Sequence, residues 1–225
     1  MNVSALFRNL LGLGDPEIIF LLPFIKRDQI DVDDVESLRT WCVSGLREHL
    51  IRPVAASKMA LLGLLGKSDV GDPLDLLDDN YVKKFAPASF LKWRILQGDE
   101  RSIFFFEDDL NHFLSFPVAE KYPPALTAMA LKRRDEGFHG EFEARIFEAA
   151  DCGDPVAMNI AGNILLSSSD SSLWGRGLGM IRASADAGFF LSCVRLDGIY
   201  RSGSFGLPVD IEKADFYAAA SAPEL

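Results

Sequence analysis

Cysteine, histidine and surplus positive charge are all scarce in this chain of 225 residues. Cys42, Cys152 and Cys193 are odd in number, far apart and set in helix-like apolar runs. That arrangement argues against a disulfide framework or a zinc knuckle and predicts buried free thiols. His49, His112 and His139 are the only histidines, and no pair has the spacing of a metal-binding helix or finger. Lys and Arg number 23 against 33 Asp and Glu, a net charge of -10. Nucleic acid is therefore not expected as a general partner, because phosphate neutralisation needs a cationic surface, and an acidic chain more naturally meets a basic protein. No apolar run reaches the roughly 18 residues of a membrane span. The opening stretch MNVSALFRNLLGLG has only Arg8 as a basic flank and no cleavage site, so neither a membrane nor a secretory route is expected. A reducing, cytoplasmic setting follows.

What the chain does contain is a rhythm. Pro16, Pro53, Pro87, Pro124, Pro155 and the Phe189-Phe190 step open apolar runs separated by 37, 34, 37, 31 and about 34 residues, a period typical of stacked helix-turn-helix units. The last third is clearest. Asp154 to Leu166 reads as a first helix with small residues at Ala157, Ala161 and Gly162, a spacing that admits close packing by a second helix. SSSDSS at 167–172 reads as a loop, and GLGMIRASADAG as a second helix closed by Gly188. EARIFEAADCG at 143–153 reads as an earlier second helix. Upstream, 14–27, 53–66, 87–98 and 123–134 read as first helices, with Pro23 and Pro117 where helices kink or end. Asp34, Leu38 and Trp41 stand 176 residues before Asp210, Ala214 and Tyr217, five intervals of about 35.

The order Leu196, Gly198, Tyr200, Gly203, Gly206, Leu207, Asp210, Lys213, Ala214, Tyr217, Ala219, Ala220 resembles the Sel-one-like repeat, a relative of the tetratricopeptide repeat. Gly162, Ala183, Ala185 and Gly188 keep part of the pattern one unit earlier, and Ala149, Ala150 and Gly153 part of it before that. Gly and Ala at helix crossings permit close approach and the glycine turn supplies positive φ. The resemblance is strong over about 140–222 and weak before 122. It implies an all-α, right-handed α-solenoid of about five to six helix-turn-helix repeats, with a divergent region 1–121 continuous with a repeat region 122–225. It further implies first helices on the concave face.

First helices carry much of the positive charge, at Lys26, Arg27, Lys58, Lys92, Arg94, Lys132, Arg133, Arg134, Arg195 and Arg201, while loops and second helices hold most acids. Two readings stand side by side. Either Lys92, Trp93, Arg94, Lys132, Arg133, Arg134 and Arg195 form a basic groove for an acidic peptide or helix, or the cations neutralise neighbouring acids.

Other constellations are weaker. Asp108 and Asp109 precede His112 at helical spacing, the geometry of an oriented base; with Trp93 they are the members of an alternative in which residues 1–120 supply an enzyme or accessory site. The acid clusters at 31–36 and 72–79 lack the central glycine of a calcium loop. GRGLG at 175–179 follows no strand, as a dinucleotide turn would require, and there is no GxSxG elbow. Phe104 to Phe106 read as core. The expectation is thus a non-enzymatic scaffold or adaptor that binds another protein or peptide and needs no cofactor or metal. A monomer is favoured over self-association through a terminal unit. Proteins of the resembled family are commonly bacterial and act in complex assembly, secretion or virulence, some as immunity partners.

Overall fold

A computed structural model describes residues 55–57, 59–60, 73–78, 82–97 and 107–221, with Pro73, Lys83 and residues 107–110 described by backbone alone. The expected helix over 14–27, most of that over 53–66, and Asp34, Leu38, Trp41, Cys42, His49, Lys26, Arg27, Lys58, the cluster at 31–36, Asp72, Asp79 and Phe104 to Phe106 lie outside these residues. Among the described residues the chain is helical and holds no strand, so the class is all-α. The helices are α1 (Pro73–Leu77), α2 (Ala86–Gln97), α3 (Glu107–Ala119), α4 (Pro123–Asp135), α5 (His139–Asp151), α6 (Pro155–Leu166), α7 (Trp174–Asp186), α8 (Phe190–Ser202) and α9 (Ile211–Ser221). The chain divides between Tyr122 and Pro123 into two units. No helix among the described residues is long and apolar enough to cross a membrane.

In the C-terminal unit each helix packs on its neighbour in sequence. The contact is most extensive within the pairs α4 with α5, α6 with α7 and α8 with α9, and smaller at the junctions α5 with α6 and α7 with α8. Helices α2, α4, α6 and α8 begin at residues 86, 123, 155 and 190, intervals of 37, 32 and 35 that track the sequence rhythm.

Short reversals between helices require a residue with positive φ at the helix end. Gly137 (φ 87), Gly153 (φ 96) and Gly188 (φ 91) supply it after α4, α5 and α7. At each, the next residue's N–H reaches back five residues, Phe138 to the Arg133 carbonyl, Asp154 to that of Ala149 and Phe189 to that of Ser184. Helix α6 opens at once on Asp154, whose buried carboxylate accepts from the Ala157 N–H at 2.7 Å, followed by Pro155 in the first turn. The stretch 167–172 is more ordered than a plain loop. Asp170 caps a 3-10 turn over Ser171–Leu173 that runs straight into α7, so this helix starts at Trp174 rather than at Gly177.

Helices α6 and α7 approach closely at two glycines. A Cβ placed on Gly162 would lie 2.6 Å from Ile181 Cγ1 and 2.9 Å from the Gly177 carbonyl oxygen, and one on Gly177 would lie 2.9 Å from the Gly162 carbonyl oxygen. Around this crossing Leu166, Leu178, Ile181, Cys193, Leu196, Ile199, Tyr200 and Ala214 form one buried cluster, flanked by Trp174, Phe205 and Tyr217. Cys193 is buried as expected and burial pushes its thiol pKa up. Cys152 is not: it is exposed, because it sits one residue past the end of α5 in the glycine turn, where no helix covers it. Gly198 also departs from expectation. It faces open space rather than a helix crossing.

In the N-terminal unit α2 packs on α3. Helix α3 runs through Pro117 and ends at Ala119. Proline has no N–H to give to the carbonyl four residues back, which is that of Phe113. The Ser89 hydroxyl of α2 donates to that carbonyl at 3.0 Å and takes the missing donor's place. Lys121, with φ 54, closes α3 in the left-handed role that glycine plays elsewhere.

Gly162→Ala and Gly177→Ala are each expected to lower the unfolding free energy by about 1–3 kcal/mol through overpacking, although alanine is the better helix former by about 1 kcal/mol. Gly179→Ala in the same region of α7, where nothing lies within 4 Å, is expected to raise it by about 0.5–1 kcal/mol; urea unfolding of the full chain checks both signs. In the other unit, Ser89→Ala is expected to lower stability by about 1 kcal/mol, the effect of removing the donor from a partly buried carbonyl. Pro117→Ala restores the helical donor, so the Ser89→Ala loss should shrink in that background, which a double-mutant cycle measures directly.

Candidate functional site

The residues expected to line a groove fall in different units. In the N-terminal unit, Lys92, Trp93 and Arg94 sit on α2. Lys92 is buried, not on a surface: it is 4% exposed, its ammonium is paired with Asp78 and lies 4.6 Å from the centre of the Phe113 ring. Ser89 and Lys92, one turn apart on α2, both meet Phe113 of α3, so the face that α3 covers carries Lys92 inward, and Asp78 supplies the counter-charge. Trp93 stacks on Phe90 at 5.6 Å, and the Arg94 guanidinium lies 5.9 Å from the Trp93 ring with its pKa lowered by burial. His112 is exposed on α3 against Phe113; the Asp108 and Asp109 side chains lie outside the described residues. Asp75 and Asp78 of the second acid cluster are exposed. No group of three or more His, Cys, Asp and Glu that could hold a metal occurs among the described residues.

In the C-terminal unit, Lys132, Arg133 and Arg134 occupy the last turn of α4, where cations complement the helix dipole. Each has a local acid. Lys132 pairs with Glu136 at 4.0 Å, Arg133 with Glu136 at 2.9 Å and Glu141 at 3.3 Å, and Arg134 with Asp135 at 3.0 Å. The Arg133 and Arg134 guanidinium groups also lie over the Phe138 and Phe142 rings. This is the geometry of neutralisation between neighbouring helices, and exposed pairs of this kind contribute little stability.

Arg195 is different. It is exposed on α8, its guanidinium lies 5.6 Å from the Phe205 ring, and no acid pairs with it among the described residues. Phe205 is held on Trp174 edge to face at 5.6 Å. The loop that carries it turns through positive φ at Gly203, Phe205 and Gly206 (67, 58 and 77) and ends on Asp210, which caps α9 by accepting from the Lys213 N–H and ammonium. Leu191, one turn before Arg195, and Val194, immediately before it, are 44% and 50% exposed, unusual for large apolar side chains.

Sequence reasoning did not foresee two polar arrangements that hold α8 in place. The first is a relay: Asn159 Nδ2 donates to Ser192 Oγ at 2.7 Å, Ser192 donates to Ser184 Oγ at 2.7 Å, and Ser184 donates to the Pro155 carbonyl at 2.5 Å. It ties α6, α7 and α8 together with every hydroxyl both donating and accepting. The second stacks Tyr200 on Tyr217 at 5.8 Å, with Arg182 donating to the Tyr200 hydroxyl at 2.9 Å and the Lys213 ammonium 5.4 Å from the Tyr200 ring.

The chain matches no family model, no curated protein and no solved structure.

The Asp210 carboxyl is held below the usual carboxylate range by the Lys213 side chain and then its N–H, and Asp170 by its bonds to Ser172. A depressed folded pKa stabilises above the ordinary value near 3.8 and loses that contribution as pH falls through the lowered value. The melting temperature of Asp210→Ala should therefore lie below that of the parent by a constant margin from pH 5 to 7, and the margin should close in stronger acid. Melting curves across pH check it.

Proposed function

We propose that the chain is a non-enzymatic protein–protein interaction scaffold of the Sel-one-like type, a right-handed α-solenoid of about five to six helix pairs that holds a partner protein or peptide along its first helices. The observation that carries the reading is the likeness of successive pairs. Helices α5 and α7 begin 35 residues apart, as do α6 and α8, and both second helices close on a left-handed glycine, Gly153 and Gly188. Such an array presents an extended surface of helix faces. The partner's chemistry follows from Arg195, exposed on a first helix with no acid paired to it among the described residues, and from Lys132, Arg133 and Arg134, whose local acids a partner's carboxylates would have to displace; all four favour an acidic segment. A cytoplasmic role as a bacterial immunity or assembly partner belongs to the same proposal and rests on analogy of fold.

Affinity purification of the full-length chain from its native host, followed by mass spectrometry, tests the proposal. One protein recovered in stoichiometric amount is expected, with recovery falling at least about fivefold when Lys132 and Arg134 are both changed to Glu. Equal recovery with that variant removes the basic surface on α4 from the proposal, and recovery of no stoichiometric partner overturns the scaffold reading itself.

A further inference from the structure

Helix α8 presents two opposite faces. Ser192, Cys193, Leu196, Ile199 and Tyr200 are buried against α7 and α9. Leu191, Val194, Arg195 and Gly198 recur at three- and four-residue spacing on the other side and are all exposed. Gly198 is the telling member. A glycine in a helix interior destabilises it by about 0.5–1 kcal/mol relative to alanine, and in this chain nothing lies within 4 Å of where a Cβ would stand. The same protein shows what glycine does when a helix does approach: at Gly162 and Gly177 it lets two backbones close to van der Waals distance, flanked by Leu166 and Ile181. Gly198, flanked by Leu191 and Val194, is one side of such a crossing without the other.

We propose that this face of α8 docks an acidic amphipathic helix from a partner protein, with a small residue seated on Gly198, apolar side chains on Leu191 and Val194, and an Asp or Glu against Arg195. The assignment deepens the scaffold reading and rests on it. Charge complementarity selects the occupant. Arg195 faces outward beside apolar side chains with no acid paired to it among the described residues, its guanidinium kept over Phe205, so a carboxylate would meet an oriented donor. Helix α7 exposes Gly175, Gly179 and Arg176 as well, but no large apolar side chain accompanies them. The exposed Val209, Ile211 and Phe216 stand beside the exposed Glu212, which would repel an acidic helix.

The full-length protein is panned against a displayed library of amphipathic helices of roughly five turns, randomised on one face. The expected binders carry a small residue and an Asp or Glu within one turn of each other. Their affinity should fall at least about tenfold on Val194→Glu and on Arg195→Glu. A version of the best binder with Lys in place of its acid should regain about tenfold on Arg195→Glu. Gly198→Leu separates docking from folding, since its melting temperature should equal or exceed the parent's while binding falls by a similar factor. Binders that ignore all three variants overturn the α8 assignment and leave the scaffold reading standing, whereas a library without binders overturns the assignment and, joined to an empty purification from the host, removes both. A dimer in sedimentation that Val194→Glu dissolves would make a second copy the occupant and likewise overturn it.

Discussion

The three-residue reversal between helices is the constraint on which the C-terminal unit depends. An α-helix leaves its last carbonyls unpaired, and the chain can satisfy them while turning back only if one residue adopts a left-handed conformation. Gly137, Gly153 and Gly188 do this after α4, α5 and α7. Because each of these turns is so short, the next helix lies against the one just completed, and the most extensive packing is between neighbours in sequence. Lys121 performs the same closure after α3 with a side chain in place. An L-residue tolerates that conformation at a cost of about 1–2 kcal/mol.

Within this frame, different interactions hold the pairs and the junctions between them. Helices α6 and α7 meet through Gly162 and Gly177 and the apolar residues around them, where non-directional burial rewards any close fit. The next pair is joined to this one through directional bonds: Ser184 of α7 reaches the start of α6, Ser192 of α8 reaches Ser184, and Asn159 of α6 reaches Ser192. Both serines are fully buried, so a register shift of one residue would leave hydroxyls without partners in the interior. Burial supplies cohesion within a pair and across the junction, where Leu178 and Ile181 share one cluster with Cys193, Leu196 and Ala214, and the relay adds the directional bonds that seat the following pair. The exposed face of α8 inherits its orientation from that seating.

Helix boundaries in the last hundred residues were legible because their punctuation is local. Asp154 and Pro155 mark a start and Gly188 an end by backbone requirements that a few residues express on their own. The all-α class follows from the same signals. Surface and interior were harder to assign for charged residues. Lys92 looked like a groove cation, yet it lies on the face that α3 covers, with Asp78, fourteen residues earlier, as a counter-charge. Cys152 looked apolar and buried by its neighbours, but the turn that Gly153 imposes ends the helix just before it. Gly198 belonged to a recognisable pattern of small residues, and the pattern could not say whether the approaching helix comes from this chain. Such facts depend on which element lies opposite, and spacing along one helix carries no record of that.

The distribution of charge bears on what could bind. With a net charge of -10 the chain repels an acidic partner at long range. Salt confines that repulsion to about 8 Å at physiological ionic strength, so contact chemistry decides the outcome. Most cations of the C-terminal unit cannot contribute there without first giving up a partner: Arg201 is shared between Asp197 and Asp215, Lys213 is held by Asp210, and the last turn of α4 is matched by Asp135, Glu136 and Glu141. Arg195 gives up only water, and the apolar side chains beside it lower the local dielectric in which a new pair would form. One such cation set among Leu191, Val194 and Gly198 discriminates more sharply than a broad positive field. It rewards a carboxylate at one position on one helix face and leaves the rest of the acidic surface to turn other partners away.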